Sequence, residues 1–234
     1  MNAPVQRIRI NPFKITKTLL GITGVISLIH IAILITYYRI DDENVFDFVP
    51  WFDMDYEANL PTLFTALLFF VNSLILLCIA LLHKSETVGK KLPWFILSFV
   101  FLFLCLDEST KIHEYAGDYM ENFVTAEGYL YFPWFIPYMT ALAVLCLLFL
   151  PFFLSLPVQT KKLYILSLAV FLTGAVFLDI LGAEEADNVG TFSIRYSVLY
   201  TIEEILEMLG LIVFLHANLA ELVNRNAVIE FSSR

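Results

Sequence analysis

The chain has 234 residues, of which 59% are hydrophobic, with 22 Phe and a formal net charge of −9 at pH 7. Its repeated apolar stretches exceed what a soluble domain buries, which excludes a water-soluble globular enzyme, and the acidic balance argues against a nucleic-acid partner. The composition predicts an all-α, polytopic integral membrane bundle, with residues 1–234 forming one transmembrane domain.

About 20 apolar residues are needed to cross ~30 Å of hydrocarbon. Six stretches approach that length: 18–38, 61–82, 92–112, 131–156, 163–182 and 196–220. No small-residue cleavage motif follows a short apolar core at the N-terminus, so the first span is expected to be a retained anchor and not a removed signal peptide. Along it Gly21, Gly24 and Ser27 recur at helical spacing, a face that lets a neighbouring helix approach closely. His30 falls about 20 Å beyond Lys17 at 1.5 Å per residue.

The segment from Arg39 to Leu60 mixes acids with Phe46, Phe48, Trp51, Phe52 and Tyr56, and is expected to lie along the membrane surface. Most acids between Asp41 and Glu57 are expected simply to solvate it. Asp53, Asp55 and Glu57 have the alternating spacing that opens a calcium loop, but Ala58 and Phe64 stand where a glycine and a distal glutamate are required. In the second span Asn72 and Ser73 lie about 17 to 18 Å from Lys84.

Asp107 lies about 21 Å beyond Pro93 in the third span, followed directly by Glu108. Helical spacing puts Asp107, Thr110, Lys111, Glu114 and Asp118 on one face with His113 at its edge, so the helix is expected to run on past the span. Pro133 and Pro137 are expected to start and kink the fourth helix, which carries Tyr138 and Thr140 about 25 to 29 Å from Pro157. Asp179 lies about 24 Å beyond Leu163 in the fifth span. On the last helix Tyr196, Tyr200, Glu203, Glu207, Gly210, Phe214, Asn218 and Glu221 form a polar seam, with Glu207 and Glu203 about 27 to 33 Å from Arg225. His216 points away from that seam.

Orientation follows from the basic residues, which collect on the cytoplasmic side. Arg7, Arg9, Lys14, Lys17, Lys84, Lys90, Lys91, Lys161, Lys162, Arg225 and Arg234 fall at one end of the spans, and Arg39, Lys111 and Arg195 at the other. Of the acids only Glu86, Glu221 and Glu230 accompany the basic set. Both termini are therefore expected in the cytoplasm, with the protein in the plasma (inner) membrane.

Ionisable residues inside hydrocarbon are costly and mark function by default. The candidate site residues are Asp107, Glu108, His113, Glu114, Asp179, Glu203, Glu207 and His30. Carboxylates with one or two imidazoles are a ligand set for a divalent metal cation. Clustered acids can instead carry protons, or belong to a structural network in which Lys111 neutralises Asp107 and Glu114. The Glu-x-x-His pairs of di-iron bundles and the His-Glu-x-x-His zinc signature are missing. No haem is expected, because His30 and His216 lie at different depths, and no nucleotide.

Cys78, Cys105 and Cys146 sit singly within apolar runs and read as small buried residues. The expected partners are the lipid bilayer, a cation or proton, and further copies or subunits of a membrane complex. The leading function is transport, a channel or a proton-coupled subunit. The alternatives are a membrane-embedded metal-dependent hydrolase of an apolar substrate and a structural accessory subunit.

Overall fold

The computed structural model describes residues 6–8, 10–39, 48–82, 88–224 and 229–231. Asp41, Asp42, Glu43, Phe46, Asp47, Lys84, Glu86, Arg9, Arg225 and Arg234, which entered the charge and loop readings, lie outside the described residues.

Helices form where the apolar runs require every backbone polar group to be satisfied within its own segment. In chain order they are α1 (Pro12–Arg39), the short α2 (Val49–Phe52), α3 (Leu60–Leu82), α4 (Val88–Thr110), α5 (Ile112–Met120), α6 (Phe135–Ser155), α7 (Val158–Leu172), α8 (Asp179–Asn188) and α9 (Ile194–Asn224). A π-helical stretch, Thr173–Leu178, joins α7 to α8, and a 3-10 turn, Gly128–Leu130, precedes α6. The non-helical pairing is one antiparallel ladder of β1 (Gln6–Ile8) with β2 (Ile229–Phe231), Gln6 opposite Phe231.

Among the described residues five helices are long and apolar enough to cross a membrane: Pro12–Arg39, Leu60–Leu82, Val88–Thr110, Phe135–Ser155 and Val158–Asn188. The 31-residue α9 is the axis of the bundle, burying Tyr196, Tyr200, Met208, Leu211, Ile212, Leu215 and Leu222 against α1, α3, α7 and α8. Leu68, Phe69, Met208 and Ile212 form the middle of the core, and Leu76, Ile79, Trp94 and Leu222 form the end nearer Asn224. By contrast α6 buries no residue and exposes Val144, Leu147, Leu148 and Leu154. An apolar exterior around buried polar groups such as His30, Thr65, Asn72 and Asn218 is the inverse of a soluble fold and suits a lipid solvent.

Several expectations change. Gly21 and Gly24 are exposed, and a Cβ added at either meets nothing within 4 Å, because α1 turns Thr23, Ser27 and His30 inward instead. Pro137 sits in the first turn of α6, where its missing N–H interrupts no helical bond, so it does not kink the helix there. The third helix does not run on: Lys111 adopts φ 60°, ψ 35°, a left-handed conformation that ends α4 and starts α5 in a new direction. Glu114 and Asp118 thereby leave the face that carries Asp107, and both are exposed. The segment after α2 enters the bundle in part, since Asp53, Met54 and Asn59 are buried while Tyr56 stays exposed, as do Phe48 and Trp51 before it.

Candidate functional site: a carboxylate cluster at one end of the bundle

The helix ends at Arg39, Leu60, Thr110, Phe135, Asn188 and Ile194 share one end of the bundle, and the cluster lies inside it. It begins at the break between α4 and α5. Asp107 is buried, and its Oδ1 accepts the His113 N–H at 2.7 Å and the Tyr138 hydroxyl at 2.9 Å. One carboxylate thus satisfies an orphan donor of α5 and ties in α6. The His113 imidazole has Nδ1 3.4 Å from Asp107 Oδ1 and Nε2 3.2 Å from Glu57 Oε1. Both ring nitrogens face carboxylates, which holds the ring as an imidazolium. Burial works against that charge, but the hydrogen bonds and charges of Asp107 and Glu57 outweigh it and push the His113 pKa up to about 10.

Glu57 has a second cation, Lys111 Nζ at 3.2 Å, and Lys111 also reaches Glu114 at 3.6 Å. Lys111 makes no pair with Asp107, contrary to the same-helix network expected from spacing, because the left-handed turn carries its side chain toward the loop.

That loop is anchored from three sides. The Met54 N–H donates to His30 Nδ1 at 3.3 Å, and His30 Nε2 meets the Thr201 hydroxyl at 2.8 Å. Since that hydroxyl donates to the Ser197 carbonyl, it accepts from His30, which fixes a neutral ring with its proton on Nε2. Asn59 caps α3 by accepting the Thr62 N–H at 3.1 Å, while its amide donates to the Asp53 carbonyl. Tyr196 donates to Asp55 Oδ1 at 2.8 Å. Desolvation of the Asp55 carboxyl raises its pKa, the Tyr196 bond pulls it down and the Asp53 charge raises it again, for a net value of about 6.

The fifth apolar segment supplies Asp179, whose Oδ2 accepts Trp134 Nε1–H at 3.1 Å. Trp134 also lies edge-on to His113, ring centroids 5.5 Å apart. The π-helical turn runs just before Asp179, with its Gly174 against the backbone of α9, so that Glu207 packs its stem on Gly174. Wide turns of this kind are frequent at functional sites.

A pattern emerges from these bonds. Three aspartates are held by aromatic donors: Asp55 by Tyr196, Asp107 by Tyr138 and Asp179 by Trp134. Glu108, Glu203, Glu204 and Glu207 are partly buried, and among the described residues no donor or cation is bonded to them. They lie within electrostatic reach of one another and of the aspartates. Glu207 feels Glu108, His113, Asp179 and Asp107, and Glu204 feels Glu207, Glu108, Glu57 and Asp55.

Of the residues singled out in the sequence, Asp107, Glu108, His113, Asp179, Glu203 and Glu207 converge here. His30 stands apart as a satisfied core histidine holding the loop, and Glu114 lies outside, 54% exposed at its side chain. Glu57, Asp55 and Glu204 join the cluster without having been singled out as site residues. The alternating acids of the loop were the signal for Glu57 and Asp55. Among the described residues, no three His, Cys, Asp or Glu side chains are grouped to hold one metal ion.

A family model described as Domain of unknown function (DUF8692) matches residues 19–222. The chain belongs to this family. The DUF8692 match includes every residue of the cluster and nearly all of the helical bundle. No curated protein and no solved structure matches the chain.

Proposed function

We propose that this DUF8692 member is a six-pass protein of the plasma (inner) membrane whose carboxylate cluster takes up protons or a cation from the extracytoplasmic side, in transport or in a proton-coupled subunit. The observation that carries the reading is the charge balance of the cluster. Asp55, Glu57, Asp107, Glu108, Asp179, Glu203, Glu204 and Glu207 make up the cluster, and the two cations that contact it among the described residues, Lys111 and His113, are both already engaged by Glu57. Like charges this close in a medium of low dielectric cannot all remain ionised and bare. Protons or an incoming cation neutralise the open glutamates. Intramembrane acids of this kind mark ion pathways and proton relays.

The topology rests on two supports. Lys14, Lys17, Lys90, Lys91, Lys161 and Lys162 lie at the end opposite the cluster, which points that end to the cytoplasm. Pairing of β1 with β2 keeps the two termini together, as an even number of crossings by α1, α3, α4, α6, α7–α8 and α9 requires.

The test is reconstitution in liposomes with an imposed pH or cation gradient. Flux in the native chain, reduced at least tenfold by Glu207→Gln or Glu203→Gln in a folded protein, is the expected result. A native chain that carries no flux and takes up no cation overturns the reading. Absent flux with a stoichiometric, tightly held metal would turn it toward metal-dependent hydrolysis.

A further inference from the structure

Deeper in the bundle than the carboxylates lies a layer of stacked rings. Phe214 of α9 and Phe101 of α4 are parallel, with centroids 4.6 Å and planes 3° apart, and Tyr164 of α7 covers Phe214 at 4.6 Å. Phe69 of α3 touches both Phe101 and Phe171 at 6.0 Å. Helices α3, α4, α7 and α9 therefore each contribute a ring. Counting along the helices from Asp107 to Phe101, Asp179 to Phe171 and Glu207 to Phe214 gives about 9, 12 and 10 Å, so these three rings lie at a similar level toward the lysine-bearing end, with Tyr164 set closer still to that end.

Several polar groups beside and below this layer are spent on one another. Tyr164 donates to Asn218 Oδ1 at 2.5 Å, Asn218 Nδ2 donates to Asn72 Oδ1 at 3.2 Å, and Asn72 Nδ2 donates to the carbonyls of Leu68 and Leu211. Ser73 and Ser98 exchange hydroxyl-to-carbonyl bonds at 2.8 and 2.9 Å between α3 and α4. These bonds fasten helix to helix.

We propose that the Phe101–Phe214–Tyr164 stack is the barrier that closes the carboxylate cluster toward the lysine-bearing end, so that the cluster exchanges with one side of the membrane while Phe214 is in place. An apolar constriction of this kind excludes water, and with it any ion that needs a hydration shell. The barrier stands on the ring geometry alone. Its role as the gate of a transport cycle rests on the proposed function.

The experiment uses the full chain in sealed vesicles, with Cys78, Cys105 and Cys146 replaced by Ala and a single reporter cysteine introduced. Glu203→Cys identifies the face from which a membrane-impermeant methanethiosulfonate reaches the cluster. Ser98→Cys reports from beyond Phe101. From the face at which Glu203→Cys reacts, Ser98→Cys is expected to stay unmodified with Phe214 or Phe214→Leu, and to react at least tenfold faster with Phe214→Ala. Equal rates with Phe214 and with Phe214→Ala overturn the barrier. If Phe214→Ala is not monodisperse, Phe101→Ala is judged by the same criterion. Proton flux and its loss in Glu207→Gln test the functional reading separately, so the labelling decides the barrier whether or not flux is found.

Discussion

Gly174 lies directly against Glu203: a Cβ built on Gly174 comes within 2.6 Å of the Glu203 carbonyl oxygen. The atom met is backbone, which cannot swing aside as a side-chain end can. Two turns deeper on α9, a Cβ on Gly210 would stand 2.8 Å from the Cβ of Phe171. These two glycines set how closely the fifth apolar segment approaches the central helix.

Gly174→Ala and Gly210→Ala are therefore expected to destabilise the protein by about 1–3 kcal/mol each, the usual cost of forcing volume into a packed interior. Gly21→Ala and Gly24→Ala, where an added Cβ meets nothing, should stay within about 0.5 kcal/mol of the parent. Denaturation in detergent compares the four. Equal effects in both pairs would remove the close-approach argument.

The His113 pairing predicts a pH window. Its folded pKa of about 10 stands above the ordinary 6.5, so the stabilisation it contributes is complete below about 6.5 and fades as pH rises through about 10. The stability difference between the parent and His113→Gln should shrink over that interval and be nearly flat below it. A difference that stays constant to pH 11 would show that the imidazolium is not held by Asp107 and Glu57.

The apolar runs made the long helices legible, because length and hydropathy alone decide which segments can cross hydrocarbon. The convergence of Asp107, Asp179, Glu203 and Glu207 was legible from helical spacing and depth. What spacing could not show was the turn at Lys111. Asp107 to Glu114 keeps a helical pattern throughout, and the left-handed residue there is a lysine, not the glycine that normally marks such a turn. Nor could it show the loop entering the bundle, because its anchors, His30, Lys111, His113 and Tyr196, are distant in sequence. The π-turn at Thr173–Leu178 has no compositional mark at all.

The split between tied aspartates and open glutamates gives a third prediction. Asp107→Leu strands the His113 N–H and the Tyr138 hydroxyl and should cost about 1–3 kcal/mol. Glu108→Gln, Glu204→Gln and Glu207→Gln remove like-charge repulsion without breaking a bond, and each should leave stability unchanged or raise it by up to about 1 kcal/mol. Thermal unfolding of the single variants decides this. Losses from the glutamine variants as large as that from Asp107→Leu would mean that the glutamates are structural.

His30→Leu should also cost about 1–3 kcal/mol, because the Met54 N–H loses its acceptor and the Thr201 hydroxyl, which keeps the Ser197 carbonyl, loses the donor it accepts from. It should also free the segment between Asp53 and Asn59, seen as faster proteolysis or faster amide exchange there. Unchanged protection of that segment would show that Asn59 and Tyr196 suffice to hold it.

The π-helical turn makes the geometry of the cluster tolerant of residue number in one stretch of the chain. Each residue of an α-helix turns the following side chains by about 100°, and a wide turn absorbs one such step between Leu172 and Asp179. A chain shorter by a single residue in that stretch, with every remaining side chain kept, would rewind into an ordinary helix. Asp179 would then still face Trp134, and Gly182 the ring of Tyr196, whereas the same deletion in a stretch of ordinary α-helix would turn both away.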